Sequence, residues 1–287
     1  VGEAAALSDR PPVDLRVNTL KADREKVLKE LVRAGASAAP LLETAVRVPP
    51  LRAMGRHPNV QAEPAFQRGL FEVQDLGSQI AAKLSGARPG EQVLDYCAGA
   101  GGKTLALAAQ MGNKGQIHAY DAERARLAPI FDRLKRAGVR NAQAHANSSE
   151  LIPLEGQMDL VLVDAPCTGS GTWRRRPDAK WRLSEQQLER REVEQREVLD
   201  AAKAYVKPGG RLVYITCSLF APENGQQVAA FLGANPDYTP VDTRPLWQEA
   251  VSASDGLGPL FKDGNTILSP LSTSTDGFFI SVLRREK

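Results

Sequence analysis

EQVLDYCAGAGGKTLALAAQM, Glu91 to Met111 of a 287-residue chain, reads as a strand, a glycine turn and a helix in immediate succession. Val93 and Leu94 run into Asp95, glycines stand at 99, 101 and 102, and the apolar spacing from Lys103 onward is helical. A strand that feeds a helix through a short turn is the repeating unit of a parallel sheet.

Downstream, the unit recurs. GQIHAYD (115–121), AQAHA (142–146), MDLVLVDA (158–165) and RLVYITCS (211–218) have strand character, and AERARLAPIFDRLKRAG (122–138) and PENGQQVAAFLG (222–233) are helical. Ser184 and Gln187 have capping-box spacing and open a long helix, with Leu188, Val198, Leu199, Ala202 and Tyr205 as its apolar face. KPGG (207–210) is expected to close that helix, and GFFISVLRR (277–285) is a late strand. Residues 235–277, rich in Pro, Gly, Ser, Thr and Asp, receive no element assignment.

Upstream of Gly77 the pattern differs. DLRVNTL (14–20) reads as a strand and DREKVLKELVRAG (23–35) as a helix with Val27, Leu28, Leu31 and Val32 on one face and Gly35 as its stop. AVRVPP (45–50) and GLFEVQD (69–75) are strand-like pieces around a Pro-rich, Gly-containing loop. The expected organisation is a small α+β subdomain over 1–75, followed over 76–287 by an α/β domain with helices on both faces of a mostly parallel sheet.

The formal charge of +3 is too small to imply a polyanionic partner by itself. The charge is concentrated from Trp173 to Arg182, where Arg174, Arg175, Arg176, Lys180 and Arg182 outweigh Asp178 and two tryptophans flank the run. Three cysteines, at 97, 167 and 217, are an odd, scattered count with no pair at metal-ligand spacing, so neither a disulfide framework nor a metal is expected and a reducing cytoplasm fits. No apolar run approaches the roughly 20 residues of a membrane span. Val1 in place of an initiator methionine is what a segment of a longer protein would show.

Three ligands compete for the glycine turn. A P-loop needs glycine where Cys97 stands, and the dinucleotide pattern needs glycine where Thr104 stands. What remains is an acid at the strand end, a glycine turn, and Asp121 ending the next strand, where a carboxylate can accept both ribose hydroxyls. That arrangement suits S-adenosylmethionine on a class I methyltransferase Rossmann-like sheet, its amino-acid end lying on the glycine loop.

Cys167 follows the strand ending at Asp164, and Cys217 ends the strand RLVYIT, so two thiols converge where parallel sheets bind ligands. Pyrimidine carbon 5 is a poor nucleophile, but a thiolate added to carbon 6 makes it enamine-like, and a hydrogen-bond partner at ring nitrogen 3, which Asp164 is placed to be, assists. Either cysteine could be that thiolate.

RVNTLK (16–21), FEVQDLGSQIAA (71–82), DYCAGAGGKT (95–104), DAPCTGSGTWRRRPDAKW (164–181), TCSLFAPENGQQV (216–228) and DGFFISVLRR (276–285) together resemble the RsmB/Nop (Fmu/Sun) family of RNA cytosine-5 methyltransferases. The resemblance implies that Cys217 is the nucleophile and that Cys167 assists product release. It implies a cofactor loop of Cys97, Ala98, Gly99, Ala100, Gly101, Gly102 and Lys103, with Asp121 on the ribose and Asp164 between cofactor and base. Asn147 stands where the family usually has an aspartate near the adenine. RNA, ribosomal or transfer, would be held by Trp173, Arg174, Arg175, Arg176, Lys180 and Trp181, with the N-terminal subdomain widening that surface. A monomer is expected. The competing readings are an amino-methyltransferase on nucleic acid, a catalytically silent RNA-binding or ribosome-assembly factor, and, more remotely, a nucleotide hydrolase.

Overall fold

The computed structural model describes residues 2–50 and 58–287. Part of the Pro-rich loop expected after Val48 lies outside the described residues.

The N-terminal strands β1 (Val13–Val17), β2 (Ser37–Ala38), β3 (Ala45–Val48) and β4 (Phe71–Val73) form an antiparallel sheet in the order β2-β3-β1-β4. Helix Arg24–Glu30 packs on it, capped by Asp23, whose carboxylate accepts the Lys26 amide at 2.8 Å. The helix is shorter than its apolar spacing predicts. A 3-10 turn at Val32–Ala34 tightens the chain before the left-handed Gly35, so Val27 and Leu31 are buried while Val32 is turned out and 70% exposed.

The large sheet runs β11-β12-β13-β9-β8-β5-β6-β7. Its parallel part consists of β5 (Gln92–Asp95), β6 (Gln116–Tyr120), β7 (Ala142–His145), β8 (Met158–Asp164) and β9 (Val206–Thr216). The antiparallel β13 (Phe278–Arg285) pairs β9 on one side. Its other side is shared by β12 (Asn265–Leu268) and β10 (Tyr238–Val241), and β11 (Leu260–Lys262) completes the edge. The strands β10, β11 and β12, with helices Thr243–Ala250 and Pro270–Thr273, occupy the stretch that had no assignment.

Apolar runs in the strands follow from burial on both faces. Leu160, Leu162, Val213, Ile215 and Ile280 face helices Leu76–Leu84 and Gly102–Gln110, while Val161, Val163, Leu212, Tyr214 and Phe279 face helices Glu185–Ala202 and Gly225–Ala234. The capping box at Ser184 and Gln187 forms as expected.

Two local readings are corrected. The helix expected over 122–138 is divided into Arg124–Leu127 and Ile130–Ala137, because Pro129 supplies no N–H and its ring crowds the preceding turn. KPGG does not end the long helix but lies inside β9, opposite a register shift between Met158 and Leu160; a Cβ on Gly210 would stand 2.8 Å from the Met158 carbonyl.

Candidate active site

Strand order reverses between β5 and β8, and in open parallel sheets a crevice forms beyond the carboxyl ends at that point. Asp95, Tyr120, Asp164 and Thr216 are the residues that end β5, β6, β8 and β9 there. The turn after β5 is built by glycine. Gly101 has φ 83°, and a Cβ on it would meet Ile130 at 2.5 Å, so neither the backbone nor the space admits another residue. Asp121 closes the turn from the next strand, its carboxylate accepting the Gly99 amide at 2.9 Å and the Glu123 amide at 2.9 Å. Asp95, beneath the turn, accepts the Thr104 hydroxyl at 2.7 Å through one oxygen; its other oxygen is buried without a partner.

Burial pushes the Asp95 carboxyl up to about 7, against the opposing hydrogen bond from Thr104. The folded chain holds that proton up to about pH 7, whereas the unfolded chain releases it near about 3.9, so stability falls as pH rises between those values. Asp95→Asn is expected to remove this slope, at most about 1.4 kcal/mol per pH unit. Thermal melts from about pH 4 to about 8 test it; an unchanged slope would assign the effect to another group.

The turn is braced by the N-terminal residues, which no local motif foretold. Arg16 of β1 donates to the Gly102 carbonyl at 2.7 Å and to Gln74 at 2.6 Å. Arg133, paired with Glu72 of β4 at 3.0 Å, donates to the Ala100 carbonyl at 2.7 Å. A cavity of about 430 Å³ opens beside the turn, lined by Cys97, Tyr120, Asp121, Arg126, Pro166 and one face of helix Glu185–Ala202.

At the neighbouring strand ends, the sulfurs of Cys167 and Cys217 lie 3.2 Å apart. The hydrogen bond with Cys167 and burial push the Cys217 thiol well above the usual thiol range; Asp164 adds to this and Lys103 opposes it. Lys103 donates to Asp164 at 2.5 Å and to Ser78 at 3.3 Å, and its side chain is buried. Sequence reasoning counted Lys103 with the cofactor loop and missed that it neutralises Asp164. The first turn of helix Gly102–Gln110 directs it toward the adjacent strand end, a placement invisible without the sheet order. A second cavity of about 430 Å³ lies over Cys167, with Arg182, Arg190 and Arg191 in its wall.

Residues 83–284 match the family described as 16S rRNA methyltransferase RsmB/F. The chain belongs to the RsmB/F family. Residues 4–50 match the ferredoxin-like domain described for RsmF/B-like methyltransferases. A ribosomal RNA small subunit methyltransferase B of Klebsiella pneumoniae is 37% identical over 236 residues, 81% of this chain and 53% of that protein. The solved structure of PH0851 superposes with a TM-score of 0.85 at 34% identity, covering 100% of this chain and 62% of that one. A methyltransferase homolog protein from Pyrococcus horikoshii superposes at 0.78 with 28% identity, covering 99% and 90%. The chain spans a little over half the length of the Klebsiella relative.

The RsmB/F family depends on S-adenosylmethionine, and the turn in this chain has the features that cofactor needs. A left-handed glycine keeps side chains off the approach, the acid Asp121 directly follows β6, and the adjoining cavity is within the range of small-ligand sites. Asn147 is not brought into this cavity's wall. It is exposed, caps the 3-10 helix Ser148–Leu154, and donates its amide to Glu150 at 3.0 Å.

The basic run separates into two groups. Arg174 is buried and pairs with Asp276 at 2.5 Å and with Asp75 at 3.7 Å. Arg175 pairs with Asp75 at 2.8 Å and also with Asp276. These two guanidiniums fasten the segment after Cys167 to the start of helix Leu76–Leu84 and to the turn before β13; they are not free phosphate ligands, as the charge pattern suggested. Arg174→Ala is expected to cost about 3 kcal/mol of stability by leaving two carboxylates short of a partner. Chemical denaturation reads this; unchanged stability would return Arg174 to the RNA surface. Trp173 packs edge-on against Phe220, with centroids 5.8 Å apart. Arg176 is exposed, and Trp181, 80% exposed, carries Lys180 over its ring at 4.9 Å. Both remain open to solvent.

Among the described residues, no group of His, Cys, Asp and Glu is arranged to hold a metal, and no helix is long and apolar enough to cross a membrane.

Proposed function

We propose that this chain methylates carbon 5 of a cytosine in ribosomal RNA through a covalent adduct between Cys217 and carbon 6. The observation that carries this reading is the pair of thiols in contact at 3.2 Å beside the Lys103–Asp164 pair. Methylation of an exocyclic amine needs no thiol, and a silent binding factor needs neither thiol nor acid. Family membership supports ribosomal RNA as the substrate class.

Cys97 to Lys103 and Asp121 would hold S-adenosylmethionine, which when bound supplies an electrophilic methyl group. Cys217 adds as a thiolate to carbon 6, and ring nitrogen 3 takes up a proton delivered through Asp164 and resupplied by the Lys103 ammonium against it. Once carbon 5 has been methylated, the Cys167 thiolate takes up its proton, the freed electron pair re-forms the double bond between carbons 5 and 6 as nitrogen 3 returns its proton, and Cys217 leaves carbon 6 as a thiolate. A stacked base cannot be reached, so the target is flipped or already single-stranded. Trp181, Lys180 and Arg176 then meet the RNA by stacking and phosphate contact, and residues 1–75 extend the surface of the catalytic domain over 76–287. The same reading makes the protein a cytoplasmic monomer.

Bisulfite mapping of total RNA from cells with and without the gene tests substrate and position together. Loss of one protected cytosine in ribosomal RNA is expected; an unchanged map alongside an intact transfer activity on amines would overturn the assignment.

A further inference from the structure

Glu223 is a fully buried carboxylate in a stretch that is otherwise apolar or small, LFAPENG. An ion so placed is costly unless donors satisfy it on all sides. Glu223 has four. It accepts the Thr168 amide at 2.7 Å, the Thr168 hydroxyl at 2.5 Å, the Gln195 amide at 3.1 Å and the Ser218 hydroxyl. Its own carbonyl accepts the buried Tyr214 hydroxyl at 2.7 Å, which pins the short turn Ala221–Glu223 to β9.

The donors are the immediate neighbours of both thiols. Thr168 follows Cys167 and Ser218 follows Cys217. Gln195 also donates to the carbonyl of Pro166, the residue before Cys167, at 2.9 Å. The β8–β9 ladder pairs Asp164 with Ile215 and goes no further. Beyond it the relative placement of the sulfurs depends on two turns, and Glu223 is bonded to both. We infer that Glu223 is a positioning residue that holds the two cysteine turns in contact, so that the second thiol is in place when the adduct on the first must be released. The inference rests on the function proposed above for its catalytic consequence, but the geometry can be tested without RNA.

The probe of geometry is thiol pairing under oxidised glutathione. One thiolate attacks the glutathione disulfide and releases glutathione; the second thiol then displaces the other glutathione, leaving a Cys167–Cys217 disulfide and two reduced glutathiones. Glu223→Gln keeps the volume but replaces an acceptor oxygen with a donor. In the folded variant, verified by circular dichroism and cofactor binding, disulfide formation is expected to slow at least about fivefold and turnover to fall about 10- to 100-fold. The covalent RNA adduct accumulates meanwhile on denaturing gels. Glu223→Asp restores part of both losses, and Thr168→Val, which removes only the hydroxyl bond, moves both in the same direction by less. Lost turnover with thiol pairing at the wild-type rate would overturn the inference, as would wild-type behaviour of Glu223→Gln. If Glu223→Gln does not fold, Thr168→Val decides, and its wild-type adduct partition and pairing rate would overturn it. An inactive wild-type protein whose thiol pairing still depends on Glu223 would refute the proposed function and leave the positioning role intact.

Discussion

Cys217→Ala is expected to lower methyl transfer by at least about 10³-fold, the scale of losing a covalent nucleophile, while cofactor affinity stays unchanged. The separation follows from placement. The cavity beside the glycine turn is lined by Cys97 and Asp121 and not by Cys217, and the contact that Cys217 makes through its backbone, accepting the Gly171 amide at 3.0 Å, survives in alanine. Incorporation of labelled methyl groups into RNA and calorimetric titration of the cofactor measure the two quantities. Full activity in this variant would sink the covalent mechanism. The raised thiol adds a pH signature. Because Cys217 is held protonated well beyond the usual thiol range, its thiolate fraction in the free protein is small at neutral pH and grows as pH rises. Alkylation at Cys217 should therefore be slow at neutral pH and still be climbing in the alkaline range where an ordinary thiol, near about 8.5, is fully ionised.

Cys167→Ala is expected to do the opposite to the adduct: to build it up rather than prevent it. The largest influence raising the Cys217 thiol is its hydrogen bond with Cys167, so removing that partner eases ionisation of the nucleophile while leaving its strand and turn in place. Attack on carbon 6 then proceeds, and release does not. A species of protein plus RNA resisting a denaturing gel should appear in this variant, be absent from Cys167→Ala combined with Cys217→Ala, and accompany a loss of turnover of about 10²- to 10⁴-fold. Absence of the adduct in an active-cofactor-binding variant would reduce Cys167 to a packing role. The same variant should also be alkylated at Cys217 faster than wild type at neutral pH.

The elements whose making is local were legible in the chain. Continuous apolar runs in MDLVLVDA and RLVYITCS declared strands buried on both faces, Ser184 and Gln187 declared a helix start, and glycines between Asp95 and Lys103 declared a tight turn. Cys167 and Cys217 could be assigned to strand ends because Cys217 comes directly after the strand RLVYIT and Cys167 three residues after Asp164. Where reading failed locally, a competing local rule had been underweighted: Pro129 against helical periodicity, and a strand bulge that absorbed KPGG.

Charge was a different matter. Arg174, Arg175 and Arg176 form one basic run in the sequence, yet the carboxylate partners of the first two, Asp75 and Asp276, are about a hundred residues away on either side. Glu223 gave no signal of its burial except the apolar company it keeps in LFAPENG. Backbone conformation and the side of an element that faces the core are dictated within a few residues by sterics and periodicity, so the sequence by itself determined the three-layered helix-sheet-helix domain, the glycine turn and the approach of two thiols to one edge. Ion-pair partners and desolvation depend on which distant segments the sheet order brings together. Only the tertiary structure decided that Lys103 neutralises Asp164, that two arginines of the basic run pair with distant carboxylates, and that one buried carboxylate is bonded to both cysteine turns.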